Sequence, residues 1–293
     1  MTVRMDDNGQ HVIDSAPGQN IAKTPTSIGK PIGYAMPRDI VAEVHEGSLE
    51  AGPTRLEYTR KAFQMIPKLD KPRILDVGCG EGGPTLELAT LSDGEVIGLD
   101  VHQPSLERLA KKIEAAGLSG RVHVVKGSLL AMDFPDESFD IIWSEGSIHV
   151  IGFERGLDEW RRFIKPEGFL VVHEATWPRR EPPQELQAHW QGRYRGIRTA
   201  SEYIGAIPTH GYELVGHFAL PEKVWWIEYF CPLKERIRVL RVRHADDGGA
   251  LAVLDREERE IEMFQRYPGW YGSAFFAMQK VPKVFPCSPG PSA

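Results

Sequence analysis

Cysteine is scarce in this chain of 293 residues. Three are present, Cys79, Cys231 and Cys287, an odd number with no pair at the spacing of zinc ligands. This pattern excludes a disulfide framework and gives no indication of a metal site. The composition therefore predicts a protein of the reducing cytoplasm.

Positive charge and long apolar runs are also lacking. The chain has 35 Lys and Arg against 41 Asp and Glu, a formal net charge of −6. No global positive field is available to attract phosphate backbones, so a nucleic-acid partner is disfavoured. No stretch approaches the ~20 apolar residues of a membrane helix, and residues 1–20 lack the apolar core of a signal peptide. We expect a soluble protein that has no membrane partner.

Apolar residues make up 41% of the chain, and many of them fall in short runs that alternate with helical patterns. Runs that are apolar nearly throughout are typical of strands buried on both faces, and strand–helix alternation favours a parallel sheet with right-handed crossovers. The sequence predicts a doubly wound α/β fold, with a mainly parallel seven-stranded sheet and helices on both faces. The predicted strands are residues 73–77, 95–99, 122–125, 139–143, 169–172, 212–220 and 273–281, and the helices between the first five are 84–91, 105–116 and 153–163.

The flanks of this pattern predict further segments. Residues 185–203 read as one aromatic, Arg-rich helix. The insertion between the last two strands is long enough to be functional, and we expect it to form a substrate cap together with the N-terminal helices. The predicted organisation is a mobile arm at 1–36, N-terminal helices at 37–69, the main domain at 70–281 with the cap insertion at about 221–272, and a disordered tail at 282–293.

The most informative stretch runs from Asp76 to Gly83, where the first buried strand leads through four glycines into a helix opened by Pro84. Glycine lets the backbone turn tightly against a ligand, and the helix N-terminus offers free N–H groups. Residues 78–83 satisfy the G-x-G-x-x-G pattern of nicotinamide and flavin sites. The carboxylate of Asp76, however, would repel phosphates and suits an ammonium or sulfonium ligand.

The spelling Asp-x-Gly-x-Gly-x-Gly from Asp76 onward resembles the first motif of class I S-adenosylmethionine-dependent methyltransferases. Residues 132–140 resemble the approach of that family to its fourth strand, and residues 160–170 resemble its turn into the fifth. Asp100 ends the second strand, where an acid reads ribose hydroxyls. The resemblance implies methyl transfer from S-adenosyl-L-methionine to a small-molecule acceptor by in-line displacement, with S-adenosyl-L-homocysteine as product.

The resemblance also implies which residues form the site. The family often has an acid where Ser128 stands, so the Ser128 hydroxyl or the Leu129 backbone would replace that contact. If the acceptor must lose a proton, the candidate catalytic bases are Glu145, His149 and His173, which follow or end the fourth and fifth strands. The implied cofactor contacts are Asp76, Gly78, Cys79, Gly80, Asp100, Val101, Ser128, Leu129 and Ser144.

Two other classes of function remain open at this point. A nicotinamide-dependent oxidoreductase would also use a glycine-rich turn and an acid after the second strand. A non-catalytic S-adenosylmethionine-binding protein would bind the cofactor without an acceptor pocket beside it. The apolar C-terminal half could also support a homodimer through the insertion. The sequence does not specify whether N, O, S or C would be methylated.

Overall fold

The computed structural model describes residues 3–5, 11–13, 38–45, 53–191, 194 and 196–282. Most of the predicted mobile arm, 1–36, lies outside the described residues, as does the predicted tail from residue 283 onward. Residues 1–35 form a unit of their own by backbone contacts. Within it, β1 (Val3–Met5) and β2 (His11–Ile13) pair as an antiparallel hairpin.

The main unit is built on one mixed sheet. Its strand order is β5-β4-β3-β6-β7-β10-β9, and short β8 pairs with the end of β7. Strands β3 to β7 pair in parallel, whereas β10 is antiparallel to both β7 and β9. The predicted doubly wound, mainly parallel sheet is confirmed. Its strands are β3 (Arg73–Val77), β4 (Glu95–Asp100), β5 (Val122–Lys126), β6 (Phe139–Glu145), β7 (Ile164–Trp177), β8 (Arg198–Thr199), β9 (Tyr212–Ala219) and β10 (Gly272–Lys280).

Helices surround the sheet and fill the connection between β9 and β10. None of those in the described ranges combines the length and hydropathy needed to cross a bilayer. A π-helical turn at Trp226–Phe230 links α8 to α9. The α-helices are α1 (Arg38–His45), α2 (Pro53–Phe63), α3 (Gly83–Leu91), α4 (Gln103–Ala115), α5 (Phe153–Trp160), α6 (Gln184–Gln191), α7 (Ala200–Ala206), α8 (Glu222–Trp225), α9 (Cys231–Arg243) and α10 (Gly248–Arg266).

The alternation of side chains along each strand explains why helices cover both faces. Leu75 and Val77 of β3 pack into a cluster with α5 and α7, whereas Ile74 packs into a second cluster with α2, α3 and α4. Successive side chains of a strand point to opposite faces, so an apolar run must be covered twice. The short apolar runs that predict the strands thus also explain why helices cover both faces of the sheet.

A third apolar cluster joins α1, α6, α9 and α10 and is rich in aromatic rings. The ring of Phe230 lies 4.3 Å from that of Phe264, which lies 5.0 Å from that of Tyr271. Aromatic rings at such distances stabilise each other beyond the area that they bury. The helices between β9 and β10 therefore have a core of their own.

The prediction of a single helix over residues 185–203 is wrong. Helix α6 ends at Gln191, Gly196 has a φ of 79°, and Arg198–Thr199 pair as a strand with β7. Helix α7 then begins with a capping box, in which the Thr199 hydroxyl accepts from Glu202 N and the Glu202 carboxylate accepts from Thr199 N. The helical pattern is interrupted because glycine adopts the left-handed conformation cheaply and threonine caps helices well.

Replacing Thr199 with alanine removes this cap. We expect Thr199→Ala to lower the free energy of unfolding by about 1 kcal/mol, the usual value of an N-cap hydroxyl. Thr199→Ser keeps the hydroxyl and should stay close to the wild type. Urea unfolding of the three proteins measures the difference, and equal losses in both variants would contradict the assignment.

Candidate functional site

A cleft of about 740 Å³ opens at the carboxyl ends of the parallel strands. In open α/β sheets, ligands bind at this edge, where the strand order reverses, here between β3 and β6. Ten of the twelve predicted site residues line the cleft. They are Asp76, Gly78, Cys79, Gly80, Asp100, Val101, Ser128, Leu129, Glu145 and His173.

The turn after β3 is held against the turn after β6. Gly78 has a φ of 73°, and a Cβ at this position would lie 2.4 Å from Ser147 Cβ. The backbone N–H groups of Gly78 and Cys79 both donate to Leu99 O, at 2.8 and 3.1 Å, and Ser147 Oγ donates to Val77 O at 2.5 Å. Only glycine satisfies both the conformation and the space at position 78.

Asp100 is fixed at the end of β4 by two backbone donors. Gly80 N donates to Oδ2 at 2.9 Å and His102 N donates to Oδ1 at 2.8 Å. A carboxylate oxygen accepts more than one hydrogen bond, so both oxygens keep capacity for ligand hydroxyls. The glycine turn and the acid that closes β4 therefore form one rigid wall of the cleft.

Asp76 is almost fully buried, with 1% of its surface exposed. Thr85 Oγ1 donates to its Oδ2 at 2.6 Å. Burial, with smaller contributions from the charges of Glu145 and Asp100, raises the pKa of Asp76 to about 7. Burial disfavours a charged carboxylate, and a cationic ligand group would reverse that effect. The environment of Asp76 fits an ammonium or sulfonium ion.

Cys79 and Ser144 are two predicted cofactor contacts whose side chains are buried. The thiol of Cys79 faces Gly98, and burial raises its pKa far above the ordinary value, so it is no nucleophile at neutral pH. Ser144 is fully buried and is absent from the cleft wall, because its Oγ lies 2.7 Å from Ser147 Oγ. Ser147 reaches the cleft instead, and no motif in the sequence distinguished it from Ser144.

One corner of the cleft holds Glu145, His173 and Arg55. Glu145 Oε1 accepts from Thr59 Oγ1 and from Trp143 Nε1, both at 2.8 Å. Glu145 Oε2 lies 3.9 Å from Arg55 Nε, and neither atom has a hydrogen-bond partner among the described residues. Burial raises the pKa of Glu145, and the charge of Arg55 opposes that rise.

His173 is the second predicted base in this corner. Its ring stacks on Phe275 with 4.7 Å between centroids, and its two ring nitrogens are buried without a partner in the described part of the chain. Burial, together with the positive charge of Arg55, lowers the pKa of His173 to about 3. The imidazole is therefore neutral at pH 7. Arg55 comes from α2, whose sequence carries no recognisable motif.

His149 does not lie on the wall of the cleft. It lines a separate cavity of about 230 Å³ together with Glu174, and its ring stacks on Tyr194 at 4.1 Å. Burial lowers the pKa of His149 to about 4. The 3₁₀ turn at Ile148–Val150 places the imidazole behind Tyr194, which lines both cavities. The structure thus separates His149 from Glu145 and His173.

Another part of the cleft wall is rich in apolar and aromatic side chains. Part of it comes from α6 and α8, and part from the π-helical turn. Aromatic side chains of this kind suit an apolar or cationic ligand body. The lining residues of this wall are Trp190, Tyr194, Leu220, Val224, Trp225 and Tyr229.

The glycine turn and three acids of the cleft, Asp76, Asp100 and Glu145, fall within a match to a known family. A family model described as a methyltransferase domain matches residues 74–168, which span β3 through the turn in β7 and include the glycine turn, Asp100 and Glu145. Residues 74–168 form a class I S-adenosylmethionine-dependent methyltransferase domain.

Among curated relatives, the chain is similar to a sterol 24-C-methyltransferase of Neurospora crassa. The two are 30% identical over 183 residues, which cover 58% of this chain and 47% of the relative. The chain therefore spans about half the length of this relative.

Two solved structures share the fold. A methyltransferase of Thiobacillus denitrificans, solved with S-adenosyl-L-homocysteine, has a TM-score of 0.71 and 19% identity, covering 82% of this chain and 98% of that one. The [4+2]-cyclase SpnF has a TM-score of 0.66 and 20% identity, covering 82% and 94%. At these identities, the likeness is one of fold.

The buried Glu174 makes stability depend on pH. It accepts from Ala175 N at 2.8 Å and from the Tyr194 hydroxyl, and burial raises its pKa to about 8. The folded state thus binds a proton that the unfolded state releases above its ordinary pKa, so this contribution to stability falls as pH rises from about 4.5 to 8.

Glu174→Gln removes that titration. We expect the free energy of unfolding of the variant, relative to wild type, to rise between pH 5 and pH 8 by up to about 1.4 kcal/mol per pH unit. Glu213→Gln changes an exposed carboxyl of β9 and serves as the control. Urea unfolding across this range gives the comparison, and parallel curves for wild type and Glu174→Gln would disprove it.

Proposed function

We propose that this chain transfers a methyl group from S-adenosyl-L-methionine to a small, largely apolar acceptor. The observation that carries the proposal is that one cleft is lined both by an acidic glycine turn and by a group of aromatic side chains. When bound, the cofactor supplies a methyl group on a sulfonium, which is displaced in line by the acceptor.

The residues of the first wall fit this cofactor. The Asp100 carboxylate, oriented by Gly80 and His102, would accept from the ribose hydroxyls. The buried Asp76 would face positive charge, and the glycine turn leaves room for close backbone approach. We assign Val101, Ser128 and Leu129, which line the same cleft, to the nucleoside end. Asp76 is the clearest discriminator, because a buried acid disfavours a pyrophosphate.

The chain's contribution to the reaction is mainly alignment. Holding two reactants in the productive geometry can lower a barrier by ~7–11 kcal/mol. A base is required only if the acceptor loses a proton, and we propose Glu145 for that step because it lines the cleft and burial raises its pKa. His173 lines the same cleft, but its pKa of about 3 makes it the weaker base. His149 is left out of the proposed catalytic set, since Tyr194 lies between its cavity and the cleft.

The class of acceptor is also supported by the composition of the chain. A net charge of −6 favours a small-molecule acceptor over nucleic acid. A cytoplasmic location and a homodimer stay predictions from composition.

The decisive experiment follows a labelled methyl group. Purified protein is incubated with a metabolite extract and S-adenosylmethionine carrying a deuterated methyl, and new labelled products are identified by mass spectrometry. We expect a labelled product and release of S-adenosylhomocysteine. Because the cyclase SpnF shares the fold, binding alone does not establish transfer. Cofactor binding without labelled product would favour a non-catalytic role, and binding of NADH instead would favour an oxidoreductase.

Asp100 provides a direct test of the cofactor site. Asp100→Asn removes the charge that strengthens hydrogen bonds to the ribose hydroxyls, and we expect S-adenosylhomocysteine to bind at least tenfold more weakly. Asp133→Asn makes the same change at an exposed position and should leave affinity unaltered. Isothermal titration calorimetry measures both, with thermal melting as a check on folding. Equal affinities in the two variants would refute the assignment.

Asp76 predicts that cofactor binding releases a proton. Its pKa of about 7 in the free protein should fall when a cation binds beside it, so apparent affinity weakens as pH drops from 7 to 5. The expected slope approaches tenfold per pH unit relative to Asp76→Asn, which has no proton to release. Calorimetry in two buffers of different ionisation enthalpy at pH 6 counts the protons. The proposal for Asp76 fails if wild type and Asp76→Asn release the same number.

A further inference from the structure

The corner formed by Arg55, Glu145 and His173 contains four buried polar atoms that have no hydrogen-bond partner in the described part of the chain. They are Arg55 Nε, Glu145 Oε2 and both ring nitrogens of His173. Glu145 and His173 are 9% and 6% exposed, and all three residues line the cleft. A buried polar group without a partner costs free energy, so such a cluster in a cleft indicates a ligand.

The orientation of Glu145 is fixed by the protein. Its Oε1 already accepts from the Thr59 hydroxyl and from the Trp143 indole, both at 2.8 Å. Only Oε2 is left to face the ligand. The 3.9 Å between Oε2 and Arg55 Nε is too long for a direct hydrogen bond. A ligand oxygen placed at about 2.8 Å from each atom would, however, make a normal hydrogen bond to both.

The chemistry of the corner selects the ligand group. Arg55 offers only a donor, and an ionised Glu145 offers only an acceptor. A ligand carboxylate would meet the charge of Glu145, and an ammonium would meet that of Arg55. A hydroxyl is neutral, donates one hydrogen bond and accepts others. It therefore matches Arg55 and Glu145 at the same time, and neutral His173 fits it in either role.

We propose that the acceptor is a largely apolar alcohol, and that its hydroxyl binds between Arg55 and Glu145. The aromatic wall that includes Trp190 and Trp225 would hold the hydrocarbon body. This inference rests on the proposed methyl transfer and adds the class of its substrate. Arg55 and Glu145 then determine specificity, whichever atom of the alcohol receives the methyl group.

Glu145→Gln gives a prediction that a purely structural role would not. Thr59 and Trp143 both donate, so the amide oxygen of the new side chain would take the Oε1 position. The amide N–H₂ would then face the cleft and present a donor where the wild type has an acceptor. The variant should accordingly prefer a ketone or aldehyde over the matching alcohol.

The experiment compares alcohols with carbonyl compounds of the same skeleton. Protein saturated with S-adenosylhomocysteine is titrated at pH 8.5 with two pairs, cholestanol and cholestanone, and farnesol and farnesal, by quenching of tryptophan fluorescence. In the wild type, at least one alcohol should bind about tenfold more tightly than its carbonyl partner, since the carbonyl leaves Glu145 Oε2 without a donor. Glu145→Gln should reverse that preference.

Two more variants complete the design. Arg55→Met should weaken both members of a pair equally, because both accept from Arg55. Glu228→Gln changes another carboxyl of the same cleft and should keep the wild-type preference. The inference is overturned if no alcohol binds, if alcohol and carbonyl bind alike because only water occupies the gap, or if the preference survives in Glu145→Gln. Failure to bind S-adenosylhomocysteine would instead refute the proposed function itself.

Discussion

The close approach of two turns is the constraint on which the rest of the site depends. Gly78 lies against Ser147, and the Ser147 hydroxyl donates to the carbonyl of Val77. This contact ties the end of β3 to the segment after β6. Because parallel strands end at the same edge, Asp76, Asp100 and Glu145 are gathered around one cleft.

Gathering three acids in one place has an electrostatic consequence. The charges of Glu145 and Asp100 both add to the burial that raises the pKa of Asp76. Burial raises the pKa of Glu145 and lowers that of His173, and the positive charge of Arg55 acts to lower both, but Arg55 Nε lies too far from Glu145 Oε2 for a hydrogen bond. A cation bound beside Asp76 would relieve this repulsion, which is why a sulfonium cofactor suits the cleft better than a dinucleotide.

The strands and the glycine turn could be predicted because both are local signals. Apolar runs without alternation identify strands buried on two faces, and an acid followed by spaced glycines identifies the turn. The strand predicted to end at Trp143 in fact runs to Glu145. Side chains alternate along that extension, so Ser144 lies on the face opposite Trp143 and Glu145. The position of Ser144 could not be predicted because the strand is two residues longer than expected.

Arg55 and Thr59 could not be predicted in the same way. Both lie on α2, and the pattern of a helix indicates which residues it buries but not which strand end it meets. Their importance follows from tertiary contacts with Glu145, which is 86 residues away from Thr59 in the chain. The helix from Glu185 to Tyr203 fails for a related reason, since a glycine and a strand pairing with β7 outweigh local helical preference.

Tyr194 lines two cavities whose titratable groups differ in charge at neutral pH. Behind it, burial holds Glu174 protonated and His149 neutral at pH 7, so those two groups carry little charge there. In front of it, Asp100 lies at a partly exposed wall and Asp76 has a pKa near neutrality. Glu154 also lines the cavity behind Tyr194, but it is paired with Arg198 at 2.7 Å, so a cationic ligand interacts more favourably with the acids in front of the tyrosine. The position of Tyr194 therefore explains why a cationic cofactor would bind in the cleft, although buried acids lie on both sides of this side chain.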